Sequence, residues 1–289
     1  MNRTKSLKMY PLYLAGTLFL IYILLSFFTV NETVNTTRQI VYFERNFTFT
    51  FFVIISVILA PIVEEIAFRG HFLTKFKIQL VSIIFLLISI CIKQNWLLIL
   101  LSCIHIFTYI ISVVKKNETL NKIAMLTMVL LFGLFHVSEI ENITIYGILR
   151  LMYFATIGSI LLFITINYSI KKAILIHSAY NLLIISIIFY EIQFSNYNVL
   201  IENENISMSI KQKPYYSKSK NVLFNYDIKE GLTCNDCTLN AVLYGINSNE
   251  IANVTAYKTF DVIIKKNKDI SEKDFKTIIE NTFKKLDKL

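Results

Sequence analysis

Seven apolar runs occupy the first two thirds of the chain: 10–30, 48–69, 78–92, 95–114, 122–137, 143–167 and 171–191. A helix needs roughly 20 apolar residues to cross hydrocarbon, so these runs predict membrane spans, with 78–92 and 122–137 at the short end. From about Ser195 the pattern becomes polar and rich in Asn and Lys. Alternation in Val222–Tyr226, Leu239–Tyr244 and Thr255–Ile264 predicts strands. Ser271 and Asp274 then open a predicted helix with Phe275, Ile278, Ile279, Phe283 and Leu286 at helical spacing. The predicted fold is an all-α polytopic membrane bundle of about seven transmembrane helices with a small soluble α+β C-terminal appendage. It divides into a first span and loop over 1–47, a core over 48–191 and a tail domain over 192–289.

Composition agrees with that division. Only 17% of the 289 residues are charged, against about a quarter in soluble domains. A net charge of +9 would suit nucleic acid, but the cations lie in short loops and in the tail, so no nucleic-acid partner is expected. Such loop cations orient a bundle. With the N-terminus inside, the inner segments 1–9, 70–77, 115–121 and 168–170 carry or adjoin Lys75, Lys77, Lys115, Lys116, Lys122, Lys171 and Lys172. The outer segment 138–142 is acidic through Glu139 and Glu141, whereas 31–47 holds Arg38 and Arg45. The balance predicts an integral cell-membrane protein with a cytoplasmic N-terminus and an extracytoplasmic tail. Arg3, Lys5 and Lys8 precede a first run with no small-residue cleavage site after it, which reads as a retained span. Richness in Ile, Lys and Asn suggests an AT-rich bacterial source. Cys91 and Cys103 read as small core residues. Cys234 and Cys237 form a lone C-x-x-C, which suits a tight disulfide if the tail is outside. The strand expected at Leu239–Tyr244 argues against a thioredoxin-like site, which would start a helix.

Ionisable residues inside spans are expensive and need a reason. The second run ends Pro61-Ile-Val-Glu64-Glu65-Ile-Ala-Phe-Arg69-Gly70. Glu65 and Arg69, four apart, share a helix face and pair. Glu64 points about 100° away and is free for other work, such as general base catalysis. Phe132-x-x-x-His136 sets an aromatic ring and an imidazole one turn apart, and His177-x-x-x-Asn181 does the same for an imidazole and an amide. Glu64 and His136 would hold and deprotonate a water, and His177 with Asn181 would donate to the oxyanion formed when water attacks an amide. His71 reads as a loop residue and His105 as structural. The aromatic stretch Phe47–Phe52 reads as lipid-facing or interfacial.

Taken in order, Glu-Glu-x-x-x-Arg, Phe-x-x-x-His and His-x-x-x-Asn on apolar segments resemble the CPBP family of intramembrane proteases. That family includes the type II CAAX prenyl endopeptidases and bacteriocin-processing or self-immunity relatives. The resemblance runs from about 48 to 191. It implies Glu64 and His136 as water activators, Glu65 and Arg69 as the supporting pair beside Phe132, and His177 with Asn181 as the oxyanion site. It also raises zinc, for which Glu64, His136 and His177 would be the ligand set. No H-E-x-x-H is present, and metal-free catalysis is slightly favoured. Two features depart from the family: a long interval between Glu64 and His136, read as an inserted helical hairpin over 78–114, and the tail. Depth also needs reconciling, because His136 lies about 21 Å along its helix while His177 lies near the start of its own. The expected partners are membrane lipid and a membrane-associated peptide or protein substrate. The rival reading is a non-catalytic scaffold or transporter-like protein, using the same residues for helix packing or proton relay.

Overall fold

The computed structural model describes residues 5–26, 48–73, 75–93, 95–137, 144–194, 198–214, 223–227, 229–246 and 258–286. Arg3, Arg38, Arg45, Glu139 and Glu141, on which part of the orientation argument rests, lie outside them. The chain forms two compact units, one of residues 1–32 and 54–182 and the other of residues 33–53 and 183–289.

The helices are α1 (Lys5–Ser26), α2 (Phe49–Ile54), α3 (Ala60–Arg69), α4 (Phe76–Lys93), α5 (Trp96–Lys115), α6 (Glu118–Phe135), α7 (Ile145–Asn167) and α8 (Ile170–Phe194). A π-turn, Ile55–Leu59, joins α2 to α3, and a 3-10 turn, Gly70–Phe72, follows α3. Among the described residues, seven segments are long and apolar enough to cross a membrane, with Phe49–Phe72 counted as one. Polar residues mark their ends. Asn95 accepts from the Leu97 amide to start α5, Asn117 from Leu120 to start α6, and Thr144 from Gly147 to start α7.

In the first unit α6 is the central helix, packed between α5 and α7, while α1 lies along α7. Small residues allow the close approach: a Cβ on Gly133 would stand 2.7 Å from the Leu151 carbonyl and 3.1 Å from Ala155 Cβ. Ser159 of α7 donates to the Pro11 carbonyl of α1 at 2.6 Å. The outward faces are apolar and exposed, as at Leu20, Ile88, Phe107 and Leu175, which suits hydrocarbon and not water. Cys91 and Cys103 are on that outer surface and not in the core. A span that is apolar all round does not distinguish a packed face from a lipid face.

The α4–α5 pair corresponds to the predicted 78–114 hairpin. It docks on α3 through buried polar contacts: Ser82 Oγ donates to the Ala67 carbonyl at 3.0 Å, and His105 Nε2 meets His71 Nε2 at 3.1 Å. His71 is therefore not a loop residue. It is buried in the 3-10 turn, with Nδ1 3.1 Å from Ser82 Oγ and its carbonyl accepting from the Tyr109 hydroxyl at 2.5 Å. A histidine next to a charged helix end looks exposed until a second helix covers it.

The second unit contains a five-stranded antiparallel sheet in the order β1-β2-β5-β4-β3. Its strands are β1 (Asn198–Glu202), β2 (Ile206–Lys213), β3 (Leu223–Asp227), β4 (Gly231–Cys237) and β5 (Thr259–Lys266), with helices α9 (Leu239–Gly245) and α10 (Glu272–Leu286). Alternate residues Ile206, Met208, Ile210, Val262 and Ile264 join Phe275, Ile279 and Phe283 in one core. The predicted capping residues hold at α10, where the Asp274 amide donates to Ser271 Oγ at 3.2 Å. Leu239–Tyr244 is a helix and not a strand. Thr238 caps it, accepting from the Ala241 amide at 3.1 Å, and Leu239, Val242, Leu243 and Ile246 bury at helical spacing. The C-x-x-C therefore does precede a helix. Cys234 and Cys237 are disulfide-bonded, and both are buried, out of reach of a thiol partner. In the same unit Phe49 and Phe52 are buried, with Phe49 stacked on Phe189 at 5.8 Å, while Phe51 is exposed. The aromatic stretch thus packs as well as facing outward.

Candidate active site

Pro61 shapes the helix that carries the carboxylates. The Ala60 amide reaches back to the Ile55 carbonyl, which sets the π-turn. That leaves the Ser56 carbonyl without Ala60 as its α-helical donor, and Pro61, next in line, has no N–H. Asn181 Nδ2 of α8 donates to the Ser56 carbonyl at 2.8 Å. The turn lies one helical turn ahead of Glu64 and Glu65, and Asn181 ties α8 to it.

Glu65 and Arg69 form the buried half of the site. Arg69 Nη1 donates to Glu65 Oε1, with both side chains out of solvent. Glu65 Oε1 also accepts from His177 Nδ1 at 2.9 Å. Arg69 Nη2 donates to the Gly158 carbonyl at 3.3 Å, and its guanidinium lies 4.3 Å from the centre of the Phe132 ring. Gly158 is needed for this approach, because a Cβ there would stand 2.8 Å from Phe132 Cδ1. Phe132 in turn packs against His136, with ring centres 4.5 Å apart, and edge-on to Phe68 at 5.4 Å. The expected pairing of Glu65 with Arg69 is thus one part of a wider clamp.

Glu64 and His136 form the less buried half, with side-chain exposures of 18% and 21%, although Glu64 Oε2 itself is covered. Glu64 Oε2 stands 3.4 Å from His136 Nε2 and 3.8 Å from His177 Nε2. His136 Nδ1 is 2.8 Å from the Phe132 carbonyl, which only accepts, so the Nδ1 proton points there and Nε2 is turned to Glu64. His177 is oriented in the same way by Glu65. Glu64 Oε2 accepts no hydrogen bond among the described residues, so its lone pairs are open to a donor. The depth difference disappears because α6 ends at His136, at the level of Glu64 within α3. Counting residues from each helix start assumes that all helices begin in one plane.

Phe154 of α7 stacks on His136, with ring centres 4.7 Å apart. Beside it the Tyr153 hydroxyl meets that of Tyr180 in α8 at 2.5 Å. These tyrosines were not singled out in the sequence, although Tyr180 lies three residues after His177. Glu64, His136 and His177 are donor types that zinc accepts. Among the described residues, however, no three His, Cys, Asp or Glu side chains converge closely enough to hold a metal ion.

Residues 46–183 match the family model described as Type II CAAX prenyl endopeptidase Rce1-like. Neither a curated protein nor a solved structure matches the chain.

Proposed function

From the match of residues 46–183 to the type II CAAX prenyl endopeptidase family model, we propose that the protein is an intramembrane endopeptidase of that family in which Glu64 and His136 activate water. The observation that carries this reading is the 3.4 Å separation of Glu64 Oε2 and His136 Nε2, with Glu64 Oε2 buried and free of a hydrogen bond among the described residues. One water can hydrogen-bond to both atoms. Glu64 takes its proton while the oxygen attacks the peptide carbonyl carbon, giving a tetrahedral oxyanion. His177 Nε2, 3.8 Å from Glu64 Oε2, receives that proton and becomes a donor to the oxyanion. The amide N–H of Asn181 not given to Ser56 is a second donor. Collapse of the intermediate breaks the C–N bond, and the leaving amine takes the proton back. Glu65 and Arg69 hold His177 in the tautomer this requires. No step passes through a metal ion.

The substrate is a membrane-associated peptide or protein, taken from within or beside lipid. The N-terminus is cytoplasmic and the tail extracytoplasmic, a sidedness supported by the Cys234–Cys237 disulfide, which belongs in an oxidising compartment. The scaffold or relay reading would pair Glu64 and His136 separately with backbone or other helices, and their shared approach favours the enzyme.

The test is cleavage of hydrophobic and lipidated peptides by purified wild type, Glu64→Ala and His136→Ala, each with and without chelator. Folded but inactive variants and a chelator-insensitive wild type are expected. Cleavage by Glu64→Ala would overturn the mechanism, and inhibition by chelator would overturn its metal-free form.

A further inference from the structure

Tyr153 and Tyr180 carry a hydroxyl proton that the fold does not use. Two phenols bring two protons, and the 2.5 Å bond between their oxygens takes one. Neither hydroxyl has another polar contact among the described residues. One O–H is therefore left to donate. At 100° per residue, Tyr180 and Asn181 lie about 60° and 40° to either side of His177 on α8. Asn181 turns to the Ser56 carbonyl on one side, and Tyr180 turns to α7 on the other. The α7 partner, Tyr153, adjoins Phe154, whose ring covers His136. The hydroxyl pair thus joins Tyr180, one turn from His177 on α8, to Tyr153, next to the ring that covers His136.

A third donor would complete the oxyanion site that His177 Nε2 and the remaining Asn181 N–H begin. The proton on His177 Nδ1 goes to Glu65, and one amide proton of Asn181 goes to Ser56. We infer that Tyr180 is a further catalytic residue, donating its hydroxyl proton as a hydrogen bond to the oxyanion of the tetrahedral intermediate, with Tyr153 as a positioning residue. Tyr153 O–H donates to Tyr180 Oη, which orients the Tyr180 proton toward the substrate and polarises that O–H. No covalent bond to tyrosine forms, and the proton stays on Tyr180. The inference rests on the hydrolytic reading above.

The test compares Tyr180→Phe and Tyr153→Phe with wild type in the full chain. The probes are a quenched fluorogenic peptide bearing a farnesylated cysteine and its phosphinate analogue, whose oxyanion imitates the intermediate. Removing one such donor costs about 10²-fold in kcat. Tyr180→Phe is expected to lose about that much with KM little changed, and Tyr153→Phe only a few-fold. A merely structural bridge would make the two variants equal, because each removes the same bond. Phosphinate binding should weaken in Tyr180→Phe while binding of the uncleaved peptide to Glu64→Gln is unaffected by the same change. Equal kcat losses, or unchanged phosphinate affinity, would overturn the assignment. Should wild type bind the phosphinate through Tyr180 yet cleave nothing, the hydrolytic reading fails while the donor stands. Absence of phosphinate binding to wild type overturns both.

Discussion

The Asn181 side chain donates to the Ser56 carbonyl at 2.8 Å, and this contact stands in for a backbone donor that the π-turn and Pro61 together remove. Asn181→Ala leaves the carbonyl unmet inside the bundle, which costs about 1–3 kcal/mol. The expected result is a lower melting temperature of the detergent-solubilised protein, with Asn181→Asp lower still because a carboxylate would face the carbonyl. An unchanged melting temperature in Asn181→Ala would show that the turn does not depend on it.

Glu65 neutralises a buried guanidinium. Glu65→Gln keeps the volume and leaves Arg69 buried without its counter-charge, which costs about 3–5 kcal/mol for a broken buried pair. Arg69→Lys would not be a mild change, because a lysine cannot reach Glu65 and the Gly158 carbonyl while lying flat on Phe132. Thermal unfolding of both variants, at matched lipid and detergent, checks this. Equal stability of Arg69→Lys and wild type would mean that charge alone matters here.

Gly158→Ala is expected to act through a ring and not through backbone freedom. The new methyl would meet Phe132 Cδ1 at 2.8 Å, and displacing the ring costs about 1–3 kcal/mol. Phe132→Leu should relieve part of that, so the double variant should be more stable than the two single losses added together. Strict additivity would place the strain elsewhere.

These couplings separate what could be read in the chain from what could not. Seven spans follow from run length, because hydrocarbon sets a minimum that few soluble segments meet. Glu64, Glu65, Arg69, His136, His177 and Asn181 stood out because polar groups inside apolar helices are costly wherever they point. How they divide the work was not legible. Whether Asn181 reaches water or Ser56 depends on a π-turn, and the cue for that, Pro61, also fits an ordinary helix start. Gly158 and Tyr180 carry no cost that would mark them, since glycine and tyrosine are unremarkable in a span. In the tail, Leu239–Tyr244 reads as a strand because so short a segment, apolar except at Asn240, fits either period, and Thr238 as a cap decides for the helix.

Asp227 gives the tail a pH dependence of definite sign. Its Oδ1 accepts from the amides of Lys229 and Glu230 at 2.6 and 3.2 Å. These bonds hold its carboxyl below the ordinary aspartate range. The depressed value means that the charged form stabilises the fold above the unfolded-state pKa, and that this contribution is lost as pH falls through the folded value. Asp227→Asn should thus be cleaved faster than wild type in the β3–β4 turn by limited proteolysis near pH 7, with the difference fading toward the acid end. A difference that persists unchanged in acid would assign the effect to shape and not to charge.

Sidedness can be tested through the same domain. Cys234 and Cys237 are buried and joined at the end of β4, where β4 shifts register against β5 between these two residues. The bond needs an oxidising compartment to form and persist, and in the proposed topology an odd number of crossings from a cytoplasmic N-terminus would deliver the tail to one. Protease added to intact spheroplasts should therefore remove the tail and leave a membrane-held fragment, and removal should be faster for the Cys234→Ala, Cys237→Ala double variant. Cleavage that requires lysis would put the tail in the cytoplasm, where thiols are kept reduced. Either the orientation would then be reversed or the span count would change by one.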